Sequence, residues 1–126
     1  MLGDMLVGMA PQDGELIVEK LDTAWLLRLR GEHDLANSGT LVSEIDAIFA
    51  HGTKVVVDLT ETTFLDSSIL TALLRGHDRS REHEADALVV VAPTASWPRH
   101  VLETVKLGSK VPVYDDLDTA LQALRS

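Results

Sequence analysis

The chain has 126 residues, of which 45% are hydrophobic and 4% aromatic, with no cysteine and a formal net charge of −9. That length and composition fit one domain with an aliphatic core, and the missing cysteines exclude disulfides, thiolate zinc sites and direct thiol switching. The charge argues against nucleic acid or an anionic membrane as partner, since affinity for either rests on Lys and Arg, and no apolar run reaches the ~18 residues of a membrane span.

Residues 1–14, "MLGDMLVGMAPQDG", lack a sustained period and a basic leading region, so they read as a loose lead-in or an added edge strand and as a poor signal peptide. A cytoplasmic location is the expectation. The pattern then predicts two strands, Glu15 to Leu21 and Thr23 to Arg30, joined by a tight turn around Asp22. In the second, Trp25, Leu27 and Leu29 alternate with Leu26, Arg28 and Arg30, the period of a strand with one buried face. A helix follows from about Asn37 to His51, with Leu41, Ile45, Ile48 and Phe49 on one face and Gly52 as its stop. Lys54 to Leu59 is a continuous apolar run suited to a central strand covered on both sides.

A second helix is expected from Ser67 to about His83, with Ile69, Leu70, Leu73 and Leu74 inward. Ala87 to Ala92 is another buried strand, stopped by Pro93. Ser96 and Pro98 open a third helix with Val101, Leu102 and Val105 on its apolar stripe, closed by Gly108. Val111 to Tyr114 and a helix capped by Asp115 or Asp116, with Leu117, Ala120, Leu121 and Leu124 inward, complete the chain. The order ββαβαβαβα predicts an α/β domain over 15–126 with a mostly parallel sheet and about four helices.

Few arrangements here carry chemistry. The G-x-S-x-G elbow, G-x-G-x-x-G and the phosphate-binding G-x-x-x-x-G-K-[ST] are all missing, which removes the usual signatures of a serine hydrolase or a nucleotide site. A set of Ser67, His33 and Asp34 can be assembled on paper, but five histidines make such combinations commonplace. His77 and His83, six residues apart, stand roughly 240° apart on a helix and cannot share one metal. No metal or cofactor is expected.

What stands out is Asp66-Ser67-Ser68, directly before the second helix. Asp and Ser accept free backbone N–H bonds, so a helix N-cap explains one of them well. It explains three in a row less well. In open α/β sheets functional groups gather at this position, between a strand's carboxyl end and a helix start, and a free helix N-terminus tolerates an added phosphate.

Several stretches together resemble the STAS domain of bacterial anti-sigma-factor antagonists. They are Gly31-Glu32-x-Asp34-Leu35 after a strand, Val55-Val56-Val57-Asp58-Leu59, Phe64-Leu65-Asp66-Ser67-Ser68 at a helix mouth, and "RHVLETVKLGSKVPVYDDLDTAL" from Arg99 to Leu121. The resemblance implies a STAS-like fold and a non-enzymatic protein switch. The unphosphorylated antagonist binds an anti-sigma factor that is also a serine kinase, and so frees the sigma factor. Phosphorylation of the serine after the motif aspartate, here Ser67, dissolves the complex, and a metal-dependent serine phosphatase resets it. By the same resemblance Asp34 and Asp66 flank the acceptor, and Ser68 and Ile69 join them at the partner surface.

The family usually continues Gly-Leu-Gly after the serines, where this chain has Ile69-Leu70-Thr71. Ile69 either faces the core beside Leu73, without consequence, or faces out and alters kinase docking. The alternative functional reading is a STAS interaction module that is never phosphorylated, a scaffold subunit of a sensory complex or an accessory part of a transport system.

Overall fold

The computed structural model describes residues 14–51, 54–82 and 87–125. The lead-in up to residue 13, the stop at Gly52, the helix end at His83 and the last residue, Ser126, lie outside the described residues.

Two strands open the domain, β1 (Glu15–Lys20) and β2 (Trp25–His33). They pair antiparallel, Leu16 opposite Leu29 and Lys20 opposite Trp25, through a turn closed by the Leu21 N–H donating to the Ala24 carbonyl at 2.8 Å. Then come α1 (Leu35–Phe49), β3 (Lys54–Asp58), β4 (Thr62–Leu65), α2 (Ser67–Ser80), β5 (Ala87–Val91), α3 (Trp97–Thr104), a 3-10 turn (Leu107–Ser109), β6 (Val113–Tyr114) and α4 (Leu117–Arg125). The main sheet runs β1-β2-β3-β5-β6, with every pair after the first parallel. The mixed, mostly parallel sheet with four helices is the fold class that the sequence predicts. The short β4 is an addition to the expected order.

The strands bury alternate residues on two faces, as the period-2 pleat requires. On one face Leu27, Leu29, Val55, Val57, Leu88 and Val90 meet the inward stripes of α1 and α2 together with Leu102 of α3. On the other, Leu26, Val56, Val89 and Val91 meet Ala120 and Leu124 of α4. This two-sided cover explains why β3 and β5 read as unbroken apolar runs. Asp58, at the end of β3, is the charged exception. It is buried, holds the Thr60 N–H at 2.9 Å, and faces the Arg28 guanidinium at 3.5 Å.

Where boundaries moved, the backbone gives the reason. β2 does not stop at Arg30, because Gly31 adopts φ 82°, a conformation open to glycine at little cost, and donates its N–H to the Glu61 carbonyl at 3.0 Å. The register shifts there, and the upper part of β2 leaves β3 to pair with β4, Glu32 opposite Phe64 and His33 opposite Leu65. α1 starts at Leu35 because Asp34 caps it, and α3 ends early because Lys106 takes the left-handed φ of 58°. Val105, expected on the inner stripe of α3, is instead half exposed at that end. β6 is cut to two residues, since Pro112 has no N–H to donate although its carbonyl still receives the Val90 N–H.

Candidate functional site

The parallel strands β2, β4, β5 and β6 each run into a helix, so the N-termini of α1, α2, α3 and α4 lie at the carboxyl end of the sheet, and the first three of them build the site. Each is capped by the residue that the chain supplies there. Asp34 Oδ1 accepts the Ala36 N–H at 2.9 Å, and Asn37 Oδ1 returns a bond to the Asp34 N–H at 3.2 Å, a reciprocal capping box. Ser96 Oγ accepts the Arg99 N–H at 3.2 Å.

The third cap, Asp66, does more than close its own helix. Its Oδ1 accepts both the Ser68 N–H at 2.9 Å and the Ser68 hydroxyl at 2.5 Å, while its Oδ2 accepts the Leu35 N–H of α1 at 3.1 Å. Its own N–H donates to the His33 carbonyl at 3.3 Å. The carboxylate therefore ties the starts of α1 and α2 together, and the backbone N–H of the same residue ties them to the end of β2. The Ser68 hydroxyl first, then the surrounding backbone N–H groups, hold the Asp66 carboxyl below the usual carboxylate range, so it is ionised at neutral pH. Asp66→Ala removes all three acceptor bonds and should lower stability by about 1–2 kcal/mol, measured by urea denaturation, with Asp66→Asn losing less because it keeps one carbonyl acceptor.

The two serines, adjacent in sequence, are thereby separated in chemistry. Ser68 is half-buried and its hydroxyl is committed to Asp66. Ser67, the first residue of α2, is exposed, and among the described residues its hydroxyl has no hydrogen-bond partner. Asp34 is also exposed and lies one residue before the Leu35 N–H that Asp66 holds, so the structure brings Asp34, Asp66, Ser67 and Ser68 to one place.

Ile69 does not belong with them. Its side chain is fully buried in the core with Leu73 and Ala72, so its placement among the partner-contacting residues is corrected. Position 69 lies on the inward face of α2, three to four residues before Ala72 and Leu73, which is the helical repeat of one buried stripe. Of the two departures from the family's glycines, Thr71 is the exposed one.

His33 sits beneath the site, buried, with Nε2 3.1 Å from the Arg30 carbonyl. Its ring lies against Gly14 and the Arg30 carbonyl, and among the described residues it forms no hydrogen-bonded set with Ser67 and Asp34. Burial pushes its imidazole below the ordinary value of 6.5, outweighing backbone contacts and the Asp34 charge that act the other way. The unfolded chain therefore takes up this proton at a higher pH than the native one. Stability is full above about pH 6.5 and falls as the pH drops from there toward the lowered native value. Urea midpoints at about pH 7.5 and about pH 5.5 should differ in that direction, and His33→Gln should shrink the difference.

Exposed apolar side chains also stand at this end of the sheet; the sequence offers Trp97 as a candidate contact without assigning it a role, and gives no sign of Phe64 or Leu35. Phe64 and Trp97 stack with ring centroids 6.1 Å apart and an interplanar angle of 18°, yet they remain 42% and 44% exposed. Leu35 is 73% exposed on the neighbouring helix start. A signal was present in Ser96-Trp97-Pro98, which places Trp97 in the first turn of a helix; the direction of its ring is not set by that position, since Pro98 beside it is buried.

Comparison with known proteins agrees with this architecture. The family model of the STAS domain matches residues 15–120. A crystal structure of an anti-sigma factor antagonist from Mycobacterium paratuberculosis superposes with a TM-score of 0.81 at 28% identity, over 93% of this chain and 98% of that one. The anti-sigma factor antagonist SpoIIAA in its unphosphorylated form gives 0.72 at 18% identity, over 88% and 96%. An anti-sigma-factor antagonist (STAS) domain protein from Planctomyces limnophilus gives 0.72 at 22%, over 88% and 98%. No curated protein matches the sequence. With the profile covering most of its length and the sheet, caps and helix order in place, the chain belongs to the STAS domain family.

Proposed function

We propose that this protein is an anti-sigma-factor antagonist that, while unphosphorylated, binds an anti-sigma factor serine kinase and so releases the sigma factor, and that phosphorylation of Ser67 ends the complex. The observation that carries the reading is the division of labour at the head of α2. Ser67 offers an exposed hydroxyl that has no partner among the described residues, while the Ser68 hydroxyl is held by Asp66. A kinase needs a hydroxyl that can leave its surroundings and enter a foreign active site, and only the first serine is in that state. Asp34 and Asp66 give the surrounding surface its negative charge, and Ser68 supports the cap. A metal-dependent serine phosphatase would reverse the reaction.

Further support comes from family membership and from the 28% identical mycobacterial antagonist. In this reading the protein acts in the cytoplasm by binding, without catalysis of its own, and residues 15–126 form the switching domain. Among the described residues no helix is long and apolar enough to cross a membrane.

The test is to purify the protein from its native cells under phosphatase inhibition, from unstressed and stressed cultures, and to map phosphate on the Ser67-Ser68 peptide by fragmentation. Phosphate on Ser67 that changes with condition is the expected result. A fully covered peptide without phosphate in any condition would sink the switch and favour the permanently unphosphorylated interaction module.

A further inference from the structure

We infer that the Phe64–Trp97 stack, together with the exposed Leu35 at the start of α1, is the apolar seat on which the serine kinase docks to reach Ser67. The inference rests on the phospho-switch reading and names the surface by which the partner is chosen.

Three residues of extended chain span at most about 10 Å, so Phe64 lies within that distance of Ser67. Trp97 is fixed to Phe64 by the ring stack, and the Leu35 N–H is bonded to Asp66, the residue before Ser67. An enzyme that takes the Ser67 hydroxyl into its active site must cover a surface of this size, and it covers these groups with it. A large aromatic side chain left more than two-fifths exposed gains most when a partner removes that area from water. Aromatic residues are also those most often found to dominate binding energy.

Charge narrows the partner. Glu32, Asp34 and Asp66 lie around the seat. The nearby cations are engaged, Arg30 with Glu61 at 2.6 Å and Arg99 with Asp115 at 3.1 Å. The complementary kinase face is an apolar side chain set among Lys or Arg, and Ser67 phosphate would add charge to an acidic rim whose nearby arginines, among the described residues, are already paired.

The experiment uses the full, unphosphorylated chain and each purified serine-kinase anti-sigma factor encoded by the source organism, titrated by calorimetry. The wild type should bind one of them, and Phe64→Ala and Trp97→Ala should each weaken that complex about 10-fold or more, with thermal midpoints near the wild type. Val18→Ala, an exposed apolar position on the edge strand β1, should leave affinity unchanged. In a Trp25→Phe background the emission of Trp97 should shift to the blue as the kinase saturates. Unchanged affinity in both aromatic variants overturns this inference and leaves the phospho-switch standing. Self-association of the chain that Phe64→Ala abolishes, with kinase affinity intact, also overturns it, since a second copy would then be the occupant. If the wild type binds none of the kinases, the switch reading and this inference fail together.

Discussion

Phosphorylated on Ser67, the protein should bind its kinase about 10- to 100-fold more weakly than the unmodified form. A phosphoserine carries about −1.5 to −2 charges at neutral pH. It would stand next to Asp66, whose carboxyl is already held ionised by Ser68 and three backbone N–H groups, and near the exposed Asp34. Unit charges ~4 Å apart interact by ~4 kcal/mol at an effective dielectric of 20. Solvent at an exposed serine reduces this to ~1–3 kcal/mol, and ~1.4 kcal/mol is tenfold in affinity. Ser67→Asp, with one charge, should fall near the lower end at about 10-fold, and Ser67→Ala should bind within about twofold of the wild type. The fold should not suffer, because an anion at the first position of α2 interacts favourably with the helix dipole by about 0.3–1 kcal/mol. The decisive pair of measurements is therefore affinity by calorimetry and thermal midpoint on the same samples. Lost binding with an unchanged or raised midpoint is the expected result, whereas equal affinity for phosphorylated and unmodified protein would remove the switch.

The same residues show what can be read from a sequence and what cannot. The alternation in β2, the apolar runs of β3 and β5 and the inward stripes of α1, α2 and α4 follow from periodicity, because each element buries a face of its own. β4 was hidden. Its four residues form a strand only because Gly31 turns the end of β2 away from β3 to meet them, a long-range event that leaves no period in Thr62–Leu65. Asp66-Ser67-Ser68 was legible as an unusual cap, but which hydroxyl it consumes depends on bond geometry. The reach of Asp66 to the Leu35 N–H crosses 31 residues and has no local signature. Trp97 was visible as a residue and invisible as a surface, since its exposure depends on where α3 lands relative to β4.

Ile69→Gly, the change that brings back the residue usual in the family, should destabilise the protein by about 3–6 kcal/mol. Ile69 is fully buried among Leu73, Ala72 and the strands of the larger core. Truncating a buried isoleucine to alanine costs about 2–5 kcal/mol through lost burial and the cavity left behind. Glycine in place of alanine within a helix adds about 1 kcal/mol. Against a total stability of about 5–15 kcal/mol, that brings much of the chain close to unfolding. Urea denaturation reads the effect directly, and Ile69→Val, expected to cost only about 0.5–1.5 kcal/mol, checks that the loss follows volume. A midpoint unchanged by Ile69→Gly would mean that the side chain lies outside the core and that the family's glycine bears on docking after all. Thr71→Gly is the complementary change. Thr71 is exposed, so its removal should shift stability by no more than about 0.5 kcal/mol. It does alter the outer surface of α2 one turn beyond Ser67, so of the two departures from the family pattern it is the one a kinase can feel.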